Sequence, residues 1–231
     1  MIFDPFLFHP STLLLIPAVI LTFYAQTKIS SAYGRYSKIK SSSGKTGADV
    51  ARAILDENGL YDVKVEQVAG ELSDHYDPRA QAVRLSSGVY GSTSIAALAV
   101  AAHETGHAVQ HADGYVPLKI RSAFVPVASI GSQIGPVMII LAFFLPSMPF
   151  LLTLGIYAFA FAVFFQIVTL PVEFNASNRA LVFLEGNGMI SGREEVSGAR
   201  KMLSAAALTY VAAALTAILT LLRFIMIARD R

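Results

Sequence analysis

Ile95-Ala96-Ala97-Leu98-Ala99-Val100-Ala101-Ala102-His103-Glu104-Thr105-Gly106-His107-Ala108-Val109-Gln110-His111-Ala112 is the stretch from which the rest of the chain is best read. Ser92, Thr93 and Ser94 just before it are N-cap residues, and Asp113-Gly114 just after it forms a stop. The run is therefore expected to be one helix, with His103 and His107 at i and i+4, stacked on one face a turn apart. That spacing lets both imidazoles reach one Zn²⁺ at about 2.0–2.1 Å. Glu104, next to His103, is placed to take a proton from a water at such a metal, which is the logic of the H-E-x-x-H pattern. The chain has five histidines and no cysteine. That excludes a disulfide scaffold and a Cys-ligated zinc finger, so any metal must be held by His, Glu or Asp.

Outward from this helix the composition is that of a membrane protein. Apolar residues make up 54% of the chain and charged residues 15%, against about 25% charged in soluble domains. Four apolar stretches are long enough to span about 30 Å of hydrocarbon: Phe6 to Ala25, Ala123 to Leu145, Phe150 to Leu170, and Ala205 to Ile227. The first has no basic leading region and no small-residue cleavage site, and reads as an anchor rather than a removed leader. Pro146-Ser147-Met148-Pro149 is a tight uncharged turn between the second and third. Pro126, Gly131, Gly135 and Pro136 predict a kink in the second. Most of the 18 Lys and Arg residues fall in 26–122 and 171–204. The positive-inside rule puts these segments in the cytoplasm. Arg223, Arg229 and Arg231 then leave the last helix open: either it stops short of crossing, or it packs against the others and snorkels its arginines.

The loop between the first two spans is divided. Residues 28–45, with Ser30, Ser31, Ser41, Ser42, Ser43 and several basic residues, read as a flexible juxtamembrane tether. Thr46 caps a helix through about Asn58, with Gly59 as its stop. Asp62 to Val68 alternates as a strand does, and Leu72–Tyr76 with Ala82–Leu85 reads as a strand pair around Asp77-Pro78-Arg79-Ala80.

Two histidines do not complete a hydrolytic zinc site, which uses three protein ligands and one open position. His111 is i+4 from His107 but about 12 Å along the axis from His103, and nothing turns the chain back between them. Glu173 is the better third ligand. It is the only acidic residue between Asp113 and Glu185, and it falls where the third span leaves the membrane. Asp74, His75 and Asp77 are alternatives within the strand pair, whose edge could also hold an extended peptide across the metal.

Several blocks carry a resemblance: Leu72-Ser73-Asp74-His75-Tyr76-Asp77-Pro78-Arg79, Val83 to Ser86, Ala99 to His111, Gly114-Tyr115-Val116-Pro117-Leu118, Leu170-Pro171-Val172-Glu173-Phe174, and Leu208 to Leu215. Together they resemble the YugP-type bacterial membrane zinc metallopeptidases from Thr46 to about Arg223. The resemblance implies a gluzincin-like peptidase with His103, His107 and Glu173 as ligands and Glu104 as catalytic carboxylate. A remoter similarity runs to the HtpX-like and CAAX-prenyl membrane proteases, which often carry an Asp four residues after the ligand Glu. Here that position is Ser177, and Asn178 or Asn175 are the candidates to buttress a ligand histidine in its stead.

The expected molecule is thus a mainly α-helical integral membrane protein of about four transmembrane helices with a small α+β zincin-like cytoplasmic catalytic domain. Its parts are an anchor (1–25), a basic linker (26–45), the zincin-like region (46–122), a transmembrane hairpin (123–170), a cytoplasmic helical region bearing the third ligand (171–204), and a C-terminal transmembrane or membrane-packed helix (205–231). The expected activity is hydrolysis of peptide bonds in protein or peptide substrates at the membrane, with one Zn²⁺ per chain and no nucleic-acid partner. Arg179, Tyr210 and His75 are candidates to stabilise the oxyanion. Two other readings accommodate the motif. One is a non-catalytic metal-binding membrane scaffold, against which the intact Glu104 argues. The other is an intramembrane site-2-type protease, for which Ile95–Ala102 is apolar enough to lie close to the bilayer.

Overall fold

The computed structural model describes residues 9–230. The start of the first span at Phe6 lies outside the described residues. A short 3₁₀ turn (Pro10–Leu14) leads into α1 (Leu15–Tyr36), followed by α2 (Gly47–Glu57), β1 (Lys64–Val68), β2 (His75–Asp77), β3 (Ala82–Ser86) and a single turn α3 (Ser87–Tyr90). Then come α4 (Ile95–Ala112), α5 (Val116–Phe144), α6 (Phe150–Gly186) and α7 (Gly192–Arg229). The contacts divide the chain into two compact units, one made of 1–25, 120–170 and 209–231, the other of 26–119 and 171–208.

The first unit is a helical bundle. α1, α5, α6 and α7, with the 3₁₀ turn leading α1, are each long and apolar enough to cross a membrane. Glycines bring α5 and α6 together: a Cβ on Gly131 would sit 2.6 Å from the Ala158 carbonyl oxygen, and one on Gly155 2.8 Å from that of Gly135. Small residues on both helices let the backbones approach where no water-driven force would hold them. α5 is unbroken through Pro126 and Pro136, so the two prolines do not divide the helix. α7 is unbroken to Arg229. Its last turn, with Ile225, Ala228 and Arg229, shares a small cavity with Thr153, Ile156 and Tyr157 at the start of α6. His9 and Asp230 meet at 3.0 Å. The last helix therefore runs the length of the bundle, and Arg223 is buried rather than extended to an interface.

The second unit is α+β, built around α4. Ser94 caps it, its Oγ accepting from Ala97 N at 3.2 Å. Nearly every residue from Ile95 to Gln110 is buried, as expected of a helix apolar all round. One side packs Ile95, Leu98, Ala99 and Ala102 against Val50 and Ile54 of α2, Leu184 of α6 and Met202 of α7. Another packs Ala97, Ala101 and Ala108 against Leu55, Val83, Leu85 and Val89. The apolar Ile95–Ala102 half is thus covered by protein, which removes the reason for placing it against lipid.

The sheet has the order β1-β3-β2, with β3 parallel to β1 and antiparallel to β2. Arg84 of the central strand bonds Glu66 on one neighbour and Asp77 on the other. The Asp77 carboxylate also accepts from Arg79 N and Ala80 N, closing the turn as an Asx motif. β2 begins only at His75: Leu72 has φ +54°, which no strand residue adopts, and Asp74 instead accepts from Ser86 N at 2.7 Å.

Residues 28–45 depart from the expected tether. α1 continues to Tyr36, and Ile29, Ala32, Tyr33 and Tyr36 pack at helical spacing on the core around α4. Two of the serines that suggested flexibility have a distant partner: the Glu195 carboxylate accepts from Ser42 N at 2.8 Å and from the Ser41 and Ser42 hydroxyls.

Candidate metal centre

α4 and α6 build the site within the second unit. His103 and His107 project from the same face of α4 with ring centroids 4.9 Å apart and planes nearly perpendicular, at 83°. Glu173, the first acidic residue after Pro171 on α6, is 1% exposed and faces both. Its Oε2 lies 3.1 Å from His103 Nε2 and 3.7 Å from His107 Nε2. One ligand-capable atom from each of the three residues lies within 4.8 Å of the others.

Close helix approach makes this possible. A Cβ on Gly106 would fall 3.1 Å from the carbonyl oxygen and 3.4 Å from the Cα of Ala176. With glycine there, the α6 backbone lies directly against α4, and Glu173 and Ser177, one turn apart, flank the crossing point.

The two imidazoles are held from behind. His103 Nδ1 is 3.1 Å from Ser177 Oγ, and His107 Nδ1 is 3.0 Å from Gln110 Oε1. Both Nδ1 atoms are thus engaged, and both Nε2 atoms point toward Glu173. Two imidazole nitrogens and a carboxylate oxygen, convergent and largely shielded from solvent, with the second ring nitrogens bonded to the protein, form a donor set that suits Zn²⁺. Electrostatics agree with the packing. Burial pushes the Glu104 carboxyl above its ordinary value, and the nearby imidazoles only partly oppose this. Burial would also raise Glu173, but its bonds to His103 and His107 outweigh it and hold the group as carboxylate.

The other residues singled out by sequence are placed as follows. His111 stands outside the cluster, its Nδ1 2.8 Å from the Tyr76 hydroxyl. His75 is exposed on β2 and donates from Nδ1 to the Ser73 carbonyl at 2.7 Å. Asp74 and Asp77 are committed to Ser86 and to Arg84, respectively. Arg179 donates to Asn175 Oδ1 at 2.9 Å and to Asp113 Oδ2 at 2.6 Å. Tyr210 belongs to the other unit. Asn178 is exposed; Ser177 itself stands behind His103, and Asn175 reaches His107 only through Gln110. Sequence reasoning missed Gln110. The signal was present, because Gln110 is i+3 from His107 and so its neighbour on the helix surface.

The family described as "Putative neutral zinc metallopeptidase" matches residues 11–229 of the chain. The chain is 52% identical over 214 residues to the "Putative membrane protease YugP" of Bacillus subtilis (strain 168), covering 93% of this chain and 94% of that protein. No solved structure matches.

Proposed function

The chain belongs to the neutral zinc metallopeptidase family, and on that premise we propose that it is a membrane-embedded zinc endopeptidase cutting peptide bonds at the cytoplasmic membrane surface. The observation that carries the reading is the convergence within 4.8 Å of Glu173 on α6 with His103 and His107 on α4, the helix that also bears Glu104.

In this proposal His103, His107 and Glu173 hold one zinc ion per chain in a gluzincin-like site. When bound, zinc supplies a Lewis acid that brings the pKa of water toward about 7 and polarises a peptide carbonyl. Glu104 takes the proton from the attacking water and passes it to the departing amine, so that one carboxyl serves as base and then acid. Ser177 and Gln110 keep the two rings turned toward Glu173. The cytoplasmic placement is supported by the concentration of Lys and Arg in 26–122 and 171–204. It also follows from sequence that Glu173 comes three residues after the apolar stretch ends at Leu170, which suits a substrate presented at the bilayer.

Metal analysis and cleavage assays on detergent-purified protein test this. The wild type should carry about one zinc, and His103→Ala should lose it. Glu104→Gln should keep the zinc and lose peptide cleavage by about a hundredfold or more. Undiminished cleavage by Glu104→Gln would move the chemistry elsewhere.

A further inference from the structure

Gln110 is wholly buried, at 0% exposure, and every polar atom of its side chain has a partner. Nε2 donates to the Val172 carbonyl oxygen at 2.9 Å and to Asn175 Oδ1 at 2.9 Å, while Oε1 faces His107 Nδ1 at 3.0 Å. These bonds have a direction. A backbone carbonyl can only accept, so the amide must turn its NH₂ toward Val172 and its oxygen toward His107. An amide oxygen can only accept as well, so His107 must carry its proton on Nδ1, which leaves the lone pair on Nε2. Asn175 is fixed by the same rule. Its Oδ1 accepts from Gln110 and from Arg179 Nε, and a guanidinium can only donate. Arg179 is fixed in turn by the Asp113 carboxylate at 2.6 Å.

We propose that Gln110 is a positioning residue for zinc binding, with Asn175, Arg179 and Asp113 as its supports. Together they compel the Nε2-donor tautomer of His107. The proposal rests on the zinc-site reading above and adds to it a proton inventory running from Asp113 to the metal-facing nitrogen. It also reassigns Arg179 from the oxyanion to this chain of bonds. His103 differs, because the Ser177 hydroxyl at its Nδ1 can donate or accept and so compels neither tautomer.

The test is zinc affinity of detergent-purified, apo-prepared protein, measured by competition with a chromophoric chelator. Gln110→Leu keeps the volume and the apolar packing but offers no acceptor. It should bind zinc about 10- to 100-fold more weakly, the range seen when the outer partner of a ligand histidine is removed. Gln110→Glu, held as the acid so that its O–H replaces the bond to the Val172 carbonyl, restores an acceptor for His107 at the same reach and should bind zinc more tightly than Gln110→Leu. A packing role alone would not produce that rescue. Gln110→Leu binding within threefold of wild type, or Gln110→Glu no tighter than Gln110→Leu, would overturn the proposal. If Gln110→Leu does not fold, Asn175→Leu reads the chain one link further out: weakening of threefold or more is expected, and unchanged affinity overturns it. His103→Ala is the control for the underlying reading. If it retains zinc, the ligand set itself is wrong, whereas loss by His103→Ala with retention by Gln110→Leu refutes only the positioning role.

Discussion

Ser177 puts a hydroxyl behind His103, and a hydroxyl there acts on the imidazole differently from a carboxylate. A carboxylate would add negative charge and raise the basicity of the imidazole, whereas a hydroxyl offers a neutral bond of 3.1 Å. Ser177→Ala should therefore weaken zinc binding about tenfold without altering the helical content measured by circular dichroism. Unaltered zinc affinity would show that the hydroxyl is incidental. Gly106 acts through what it lacks. In Gly106→Ala the methyl meets the Ala176 backbone at 3.1 Å, and backbone cannot swing aside as a side chain can. A stability loss of about 1–3 kcal/mol is expected, together with weaker zinc binding because Glu173 shifts with α6. A variant as stable as the parent would mean that the helices have slack at their crossing.

At the scale of elements, local chemistry was legible wherever it was self-contained. Thr46 and Asp49 form a reciprocal capping box at the start of α2, and Asn58 ends it; cap and stop were both written in the sequence. Thr46→Ala should cost about 1 kcal/mol. The loss should depend on pH in a definite direction. Bonds from the Thr46 backbone and hydroxyl hold the Asp49 carboxyl below its ordinary 3.8. Its contribution is therefore complete above that value and disappears as pH falls through the lowered one. Denaturation of wild type and variant at neutral and strongly acid pH should show the difference shrinking in acid. Elements were misread where a partner far along the chain decides the outcome. The serines after Tyr36 looked like a tether because nothing nearby in sequence discloses Glu195. Leu72 looked like a strand residue because alternation does not reveal a left-handed backbone.

For the whole molecule, the hydropathy pattern gave the number of spans but left the course of the last helix open. The cavity shared by Thr153, Tyr157 and Arg229 and the meeting of His9 with Asp230 decide it within the bundle. Since the chain has no cysteine, single substitutions give an unambiguous labelling experiment. Met148→Cys and Asp230→Cys should react with an impermeant maleimide from the same side of intact cells, and Asp62→Cys only after the cells are opened. Labelling of Met148→Cys and Asp230→Cys from opposite sides would contradict the course of α7. The other unit is assembled from two separate lengths of chain, 26–119 and 171–208, and this bears on the order of biosynthesis. A nascent chain that has emerged as far as α5 already contains His103, Glu104 and His107. It still lacks Glu173, Ser177 and the Val172 carbonyl, which are made only after the apolar hairpin. The half-made protein thus holds the two histidines without Glu173, and the cluster of three comes together only after α5 and the apolar first half of α6 have been synthesised.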